Sequence, residues 1–304
     1  IPSNNTGVTV SQLLAYNYVD QNKLNTNLAT KPNFSGNSSF SAGTGAFTDL
    51  NLSGRVKSSV NSGAVGISNS ATQAIGQQSI AIGLNTQLTA GGSYAVACGL
   101  NAGSFTQGDY STAVGLNAGY SLQGASAIAI GANSGQTSQG AYAVSIGTNS
   151  GNSSQSTNSV AIGVNAGSNS QQVGSISIGN SAGNTSQGEY SVSIGNTAGS
   201  LSQSSYSVAV GANSGYTGQG SNTVAIGANS GYTGQGNYSI ALGAYSGYTN
   251  LPPNSICLNS SGSFLNPSTS GVYISNIAGR SGTGKVVGSL HYDTGTKEVY
   301  YIIS

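Results

Sequence analysis

Eleven glycines recur at a spacing of 16 residues, at Gly83, Gly99, Gly115, Gly131, Gly147, Gly163, Gly179, Gly195, Gly211, Gly227 and Gly243, without one slip. A period held that long marks one supersecondary unit stacked on copies of itself, which restricts the fold to a solenoid. A weaker copy, Ser255-Ile256-Cys257-Leu258, closes the array after Pro252 and Pro253. Ala64-Val65-Gly66 and Ala74-Ile75-Gly76 read as irregular capping coils.

Within each unit the third residue before the glycine is almost always β-branched and apolar, as in Ile80, Val96, Ile128, Val160 and Val224, with Thr112 as the polar variant. The residue directly before the glycine is also apolar, as in Ile82, Ile130, Ile162 and Leu242, and only Ala or Ser stands between them. Such period-two alternation predicts a strand, hence an all-β parallel β-solenoid, or β-roll, of 16-residue coils. One face of the strand is bulky and the other uniformly small, and the bulky face is expected to be the buried one. A parallel stack advances ~4.8 Å per coil, so the steps from Gly83 to Gly243 span on the order of 48 Å.

Four residues after most anchors stands a second glycine, in Asn-Ala-Gly or Asn-Ser-Gly, which supplies the permissive backbone of a tight turn. Eight residues after the anchor stands a glutamine in nine consecutive coils: Gln107, Gln123, Gln139, Gln155, Gln171, Gln187, Gln203, Gln219 and Gln235. Stacked in register, side-chain amides donate and accept along the axis, so this column is expected to be a structural ladder.

Composition narrows the function. Charged residues make up 4% of the chain, its net charge is +1, and between Lys57 and Arg280 only Asp109 and Glu189 carry a formal charge. No basic stripe is available to neutralise phosphates, which argues against a nucleic-acid partner. No apolar run approaches the ~18 residues of a membrane span. The regular period argues against disorder despite the polar, glycine-rich composition. Cys98 and Cys257 lie in strand patterns far apart in the array and are read as two small buried residues.

Two branched side chains per coil are a thin hydrophobic term against the entropy of ordering the whole coil. Several chains associating along their length would bury a further face, and the uniform Ala/Ser face suits close approach. A homotrimer is therefore expected.

The units Ser159-Val160-Ala161-Ile162-Gly163 and Thr223-Val224-Ala225-Ile226-Gly227 resemble the head repeats of trimeric autotransporter adhesins over residues 62–260. That resemblance implies a left-handed parallel β-roll, three chains wide, that binds host surfaces. The chain departs from that family in showing no neck, coiled-coil stalk or membrane-anchor barrel. Its flanks resemble viral fibres instead: Lys31-Pro32-Asn33-Phe34-Ser35-Gly36 and Ala46-Phe47-Thr48-Asp49-Leu50-Asn51-Leu52-Ser53-Gly54 are similar to the short β repeats of phage and large-virus fibre shafts. Residues Val10 to Leu28 suggest a short helix. Gly288 to Tyr301 reads as a hairpin around Asp293-Thr294-Gly295-Thr296. That hairpin is similar to the segment preceding the endosialidase-type chaperone of viral fibres, which cuts itself away after a serine, and Ser304 stands where such a cut is expected.

No catalytic constellation emerges. Gly279 to Lys285 fits a phosphate-binding loop until Val286 replaces the required Ser or Thr, and the segment continues as β rather than opening a helix. His291 is the only histidine and has no nucleophile elbow to serve. Asp109 and Glu189 lie five coils apart, too far to act as a glycosidase pair. A calcium β-roll needs an aspartate in every repeat. No cofactor, metal or catalytic residue is expected.

Tyrosines cluster at two outward-looking positions: Tyr94, Tyr110, Tyr142, Tyr190, Tyr206 and Tyr238 at one, Tyr120, Tyr216, Tyr232 and Tyr248 at the other. The second set is the candidate surface contact for a host glycan or protein, with stacking between coils as the plainer reading. The expected organisation is an N-terminal attachment and shaft segment (1–60), a β-roll array (61–260) and a C-terminal β cap (261–304). The expected role is a non-enzymatic, extracellular fibre on a virion or cell surface, most simply a viral or phage fibre for host attachment. The alternatives are the head of a bacterial trimeric adhesin and an ice-binding solenoid. The last needs a paired threonine column, whereas Thr137, Thr185, Thr217 and Thr233 recur without one.

Overall fold

The computed structural model describes residues 65–67, 76–87, 90–275, 288–292, 295 and 299–303. The expected helix over 10–28, the shaft-like segment over 31–54 and the phosphate-loop look-alike at 279–286 lie outside them.

The described residues form a parallel β-solenoid. A first sheet of 14 strands is built from one three-residue strand per coil, running from Val65–Ile67 and Ile80–Ile82 through Val160–Ile162 to Ile256–Leu258 and Val272–Ile274. Each strand pairs in register with its copy 16 residues on, as Val160 with Ile176, Ala161 with Ser177 and Ile162 with Ile178. Val65–Ile67 pairs with Ile80–Ile82 after 15 residues, which makes this capping segment a true member of the sheet. At the other end Val272–Ile274 pairs with Ile256–Leu258, so the ladder continues past position 260. The expected hairpin is present, with Gly288–Tyr292 antiparallel to Val299–Ile303.

A second sheet of six strands, from Phe105–Gln107 to Thr185–Gln187, closes the other side of the coil. Only the outer two residues of each strand pair, as Ser153 with Asn169 and Gln155 with Gln171. The middle residue, for example Ser154 at φ 57°, is left-handed and steps out of the ladder. Beyond Thr185 this sheet continues as single bridges through Leu201, Thr217, Thr233 and Thr249.

The anchor glycines have a steric cause. Gly131 has φ +124°, and a Cβ there would lie 2.6 Å from the carbonyl oxygen of Gly147 in the next coil. No L side chain satisfies both the dihedral and the approach. The second glycine makes room inward: a Cβ on Gly135 would lie 2.7 Å from the side chain of Gln139.

The coil interior corrects the expectation about the two strand faces. The middle residues Ala81, Ala97, Ala113, Ala129, Ser145, Ala161, Ser177, Ser193, Ala209, Ala225 and Ala241 are all 0% exposed. The Ile and Val residues point outward: Ile130 is 38% exposed, Ile194 38% and Ile226 42%. Two further small columns fill the interior, one before the strand (Ser159, Ser175, Ser191) and one before the second glycine (Ala166, Ala182, Ala198). These small residues and the glutamine column fill the space between the two sheets, which leaves the isoleucines and valines to the outer face of the strand. The small face is thus the core, and the bulky face is the surface.

Candidate functional site: the ladders and the outward faces

All nine glutamines are between 0 and 3% exposed. Gln171 shows the geometry: its Nε2 donates across the coil to the Val160 carbonyl at 2.8 Å and to the Ser175 carbonyl at 3.2 Å. Its Oε1 accepts from Gln155 Nε2 of the preceding coil at 3.2 Å. Where serine replaces alanine in the middle of the strand, its hydroxyl donates to the Oε1 of its own coil, as Ser145 does to Gln155, Ser177 to Gln187 and Ser193 to Gln203. Where neither donor reaches, at Gln123 and Gln219, the buried Oε1 has no protein partner. The column ends on substitutes. Gln87 occupies the position of the second glycine and donates to Gln107 Oε1 at 2.6 Å, and Leu251 takes the glutamine's place against Ala241 and Cys257.

A second amide ladder was read in the sequence only as a turn. Asn85, Asn101, Asn117, Asn133, Asn149 and Asn165 are left-handed, with φ between 53 and 58°. Each Nδ2 donates to the Oδ1 of the next asparagine at 2.9–3.1 Å. Ser181 interrupts the column, and it resumes from Thr197 through Asn213 to Asn229. The 16-residue recurrence of asparagine was the signal, masked by its ordinary role in left-handed turns.

Outside the coil two kinds of surface stand out. The first sheet carries an apolar stripe of two residues per coil, broken only where Thr112 stands among the described coils, and widened at one end by Leu84, Leu100 and Leu116, which are 42–45% exposed. Cys98 belongs to this stripe, pairing with Ile82 and Val114, and is half-buried rather than buried. Cys257 is the interior one, in the Ala/Ser column. Both are free thiols.

Tyrosines make the other surface. Tyr94, Tyr110, Tyr142, Tyr190, Tyr206 and Tyr238 share one left-handed turn position beside the apolar stripe and are 47–64% exposed. Where they fall in adjacent coils they stack, Tyr94 on Tyr110 at 5.0 Å and Tyr190 on Tyr206 at 5.6 Å. Of the other set, Tyr216, Tyr232 and Tyr248 form one continuous stack, joined by Tyr245 and Phe264, which the sequence did not single out. Tyr120 stands apart from them, edge-on to Phe105.

Asp109 Oδ1 accepts the Ser93 backbone N–H at 2.8 Å and so serves as a turn cap. Among the described residues no group of three or more His, Cys, Asp or Glu side chains is placed to hold a metal ion. Nor is any helix among them long and apolar enough to cross a membrane. Comparison of the chain with family models, curated proteins and solved structures gives no match.

Proposed function

We propose that this chain is a non-enzymatic structural fibre of a virion or cell surface, most simply a viral or phage fibre for host attachment, and that it works as a homotrimer joined along the first sheet. The observation that carries the reading is the apolar stripe. An isolated solenoid leaves two branched side chains per coil facing water, a patch far longer than soluble monomers present. Each such side chain gains roughly 1.5–3 kcal/mol on full burial. A second copy of the same stripe is its natural cover, since every coil then meets apolar surface, and closed symmetry limits the assembly. The interior supports the reading from the other side, because its small residues and paired amides build a shaft rather than a reactive cleft. The near-absence of charge favours contact with uncharged host-surface groups over nucleic acid.

The head of a bacterial trimeric adhesin shares these features, and the repeat motif at Ser159 to Gly163 favours it. The fibre-like flanks favour the virus. The first test is light scattering on the purified chain, which is expected to give three times 29.9 kDa. A monomer overturns the reading. Cross-linking sharpens it: a thiol-specific reagent should join chains through Cys98, on the stripe, and not through Cys257, inside the coil.

A further inference from the structure

We propose that the aromatic ladder of the last coils is a binding strip for an extended, uncharged β-1,4-linked polysaccharide lying along the solenoid axis. The inference rests on the reading of the chain as a surface-displayed attachment fibre, and names the ligand class of one of its faces.

Four observations meet there. Tyr216, Tyr232 and Tyr248 stack with centroids 5.0 and 4.9 Å apart and planes within 9 and 6° of parallel. Their faces cover one another, and their spacing is that of the coils, close to the rise per sugar of an extended β-1,4-linked chain, so one ring edge with its phenol recurs per sugar. The stack ends on Phe264, which is 63% exposed and meets Tyr248 at 4.7 Å, closing the strip with a tilted ring.

Beside Tyr216 the floor is open. Two residues after Tyr216 and Tyr232 stand Gly218 and Gly234, where earlier coils carry Thr106, Leu122, Ser138 or Ser186. A Cβ on Gly218 would meet nothing nearer than 3.9 Å, so the missing side chain leaves a trough there, whereas one on Gly234 would lie 2.6 Å from Asn250 Oδ1, so the Asn250 amide closes the trough one coil on. Tyrosine at the first position and glycine two residues on occur together only in these two coils.

The surroundings decide the chemical class. Thr217, Thr233 and Thr249 follow the rings and pair in parallel bridge register. From Glu189 to Arg280 the sequence holds no formal charge, so an acidic glycan or a basic peptide finds no counter-ion. Aromatic rings, hydroxyls and an uncharged surface suit a neutral, hydroxyl-rich ligand. The strip also belongs to the second sheet's side of the coil, so association along the first sheet leaves it accessible.

The test titrates the full chain with cellohexaose and chitohexaose, following tyrosine emission, which is unobscured because the chain has no tryptophan. Maltohexaose, whose α-links coil the chain, and polygalacturonate, which is charged, are the comparators. Saturable, salt-insensitive binding of at least one extended neutral hexasaccharide is expected, with neither comparator binding. Gly218→Leu fills the trough without touching the stack, and Leu122 already occupies the same coil position at φ 57°. That variant should melt like the parent and bind at least tenfold more weakly, as should Tyr232→Ala. Absence of saturable binding, preference for either comparator, or undiminished binding by Gly218→Leu overturns the proposal. Light scattering on the same samples separates the two readings: a trimer that binds no glycan sinks only the strip, and a monomer that binds one sinks only the fibre.

Discussion

Ala161 and Ile162 are neighbours in one strand and live in opposite environments. Ala161 is wholly enclosed by its coil, in a space shared with Ser159, Ala166 and Gln171, all of them small or polar. Ile162 projects from the other face of the same strand into the apolar stripe. Inside, a narrow space is filled by groups that hydrogen-bond to the backbone around them, as Ser150 Oγ does to the Ala161 carbonyl at 2.6 Å. Outside, apolar side chains wait for a partner. In a solenoid this thin the branched side chains lie on the surface of the chain, where the proposed trimer would bury them.

Changes on the inner side should act on the coil itself, and changes on the outer side on assembly alone. The largest effect is expected from Gly163→Ala, whose Cβ would lie 2.5 Å from the Gly179 carbonyl oxygen at a φ of +128°. A loss of more than about 4 kcal/mol is expected, read as failure to refold by circular dichroism. Parent-like melting would mean that the coils are not so closely stacked. Ile162→Asp should act differently, leaving β content intact while abolishing the trimer, because each buried unpaired carboxylate costs several kcal/mol and three would meet. Sedimentation velocity distinguishes a folded monomer from an unfolded chain. If the variant assembles normally, the stripe is not the interface.

Smaller effects probe the amide ladder. Gln171→Leu keeps the volume, as Leu251 does at the end of the column, but removes the donor to the Val160 carbonyl and the acceptor for Gln155. A loss of about 1–3 kcal/mol is expected in chemical denaturation. A neutral result would make the ladder mere filling. The smallest effect should be a gain: Ala113→Ser offers a hydroxyl to the unpartnered Gln123 Oε1, as Ser145 does for Gln155, and should stabilise the fold by up to about 1 kcal/mol. A destabilised variant would show that another group already serves that oxygen.

The period, the strand position and the parallel stack were legible in the sequence because each depends on local chemistry repeated at a constant interval. Which face of the strand lies inside was not. Alternation of Ile with Ala says that two faces differ and leaves their assignment to the distance between sheets, which no single strand encodes. The glutamine column held the clue: Gln171 reaches the opposite strand's Val160 carbonyl with its own side chain, so the interior is one glutamine wide and has no room for a layer of isoleucines. The pairing of Tyr216 with Gly218 was equally present in the sequence, but a glycine in a glycine-rich chain draws no notice until the space above it is seen to be empty.

The constant 16-residue register also has a mechanical meaning. Successive coils are held to one another along the axis by the same backbone and amide bonds, and among the described residues no strand bridges two non-adjacent coils. A chain pulled from its ends would therefore not stretch as a body but unwind from one end, each yielding coil releasing on the order of 50 Å of slack at ~3.3–3.6 Å per residue. Under tension such a solenoid behaves as a spool with nearly equal increments, absorbing work over a long travel while the coils still wound keep their shape.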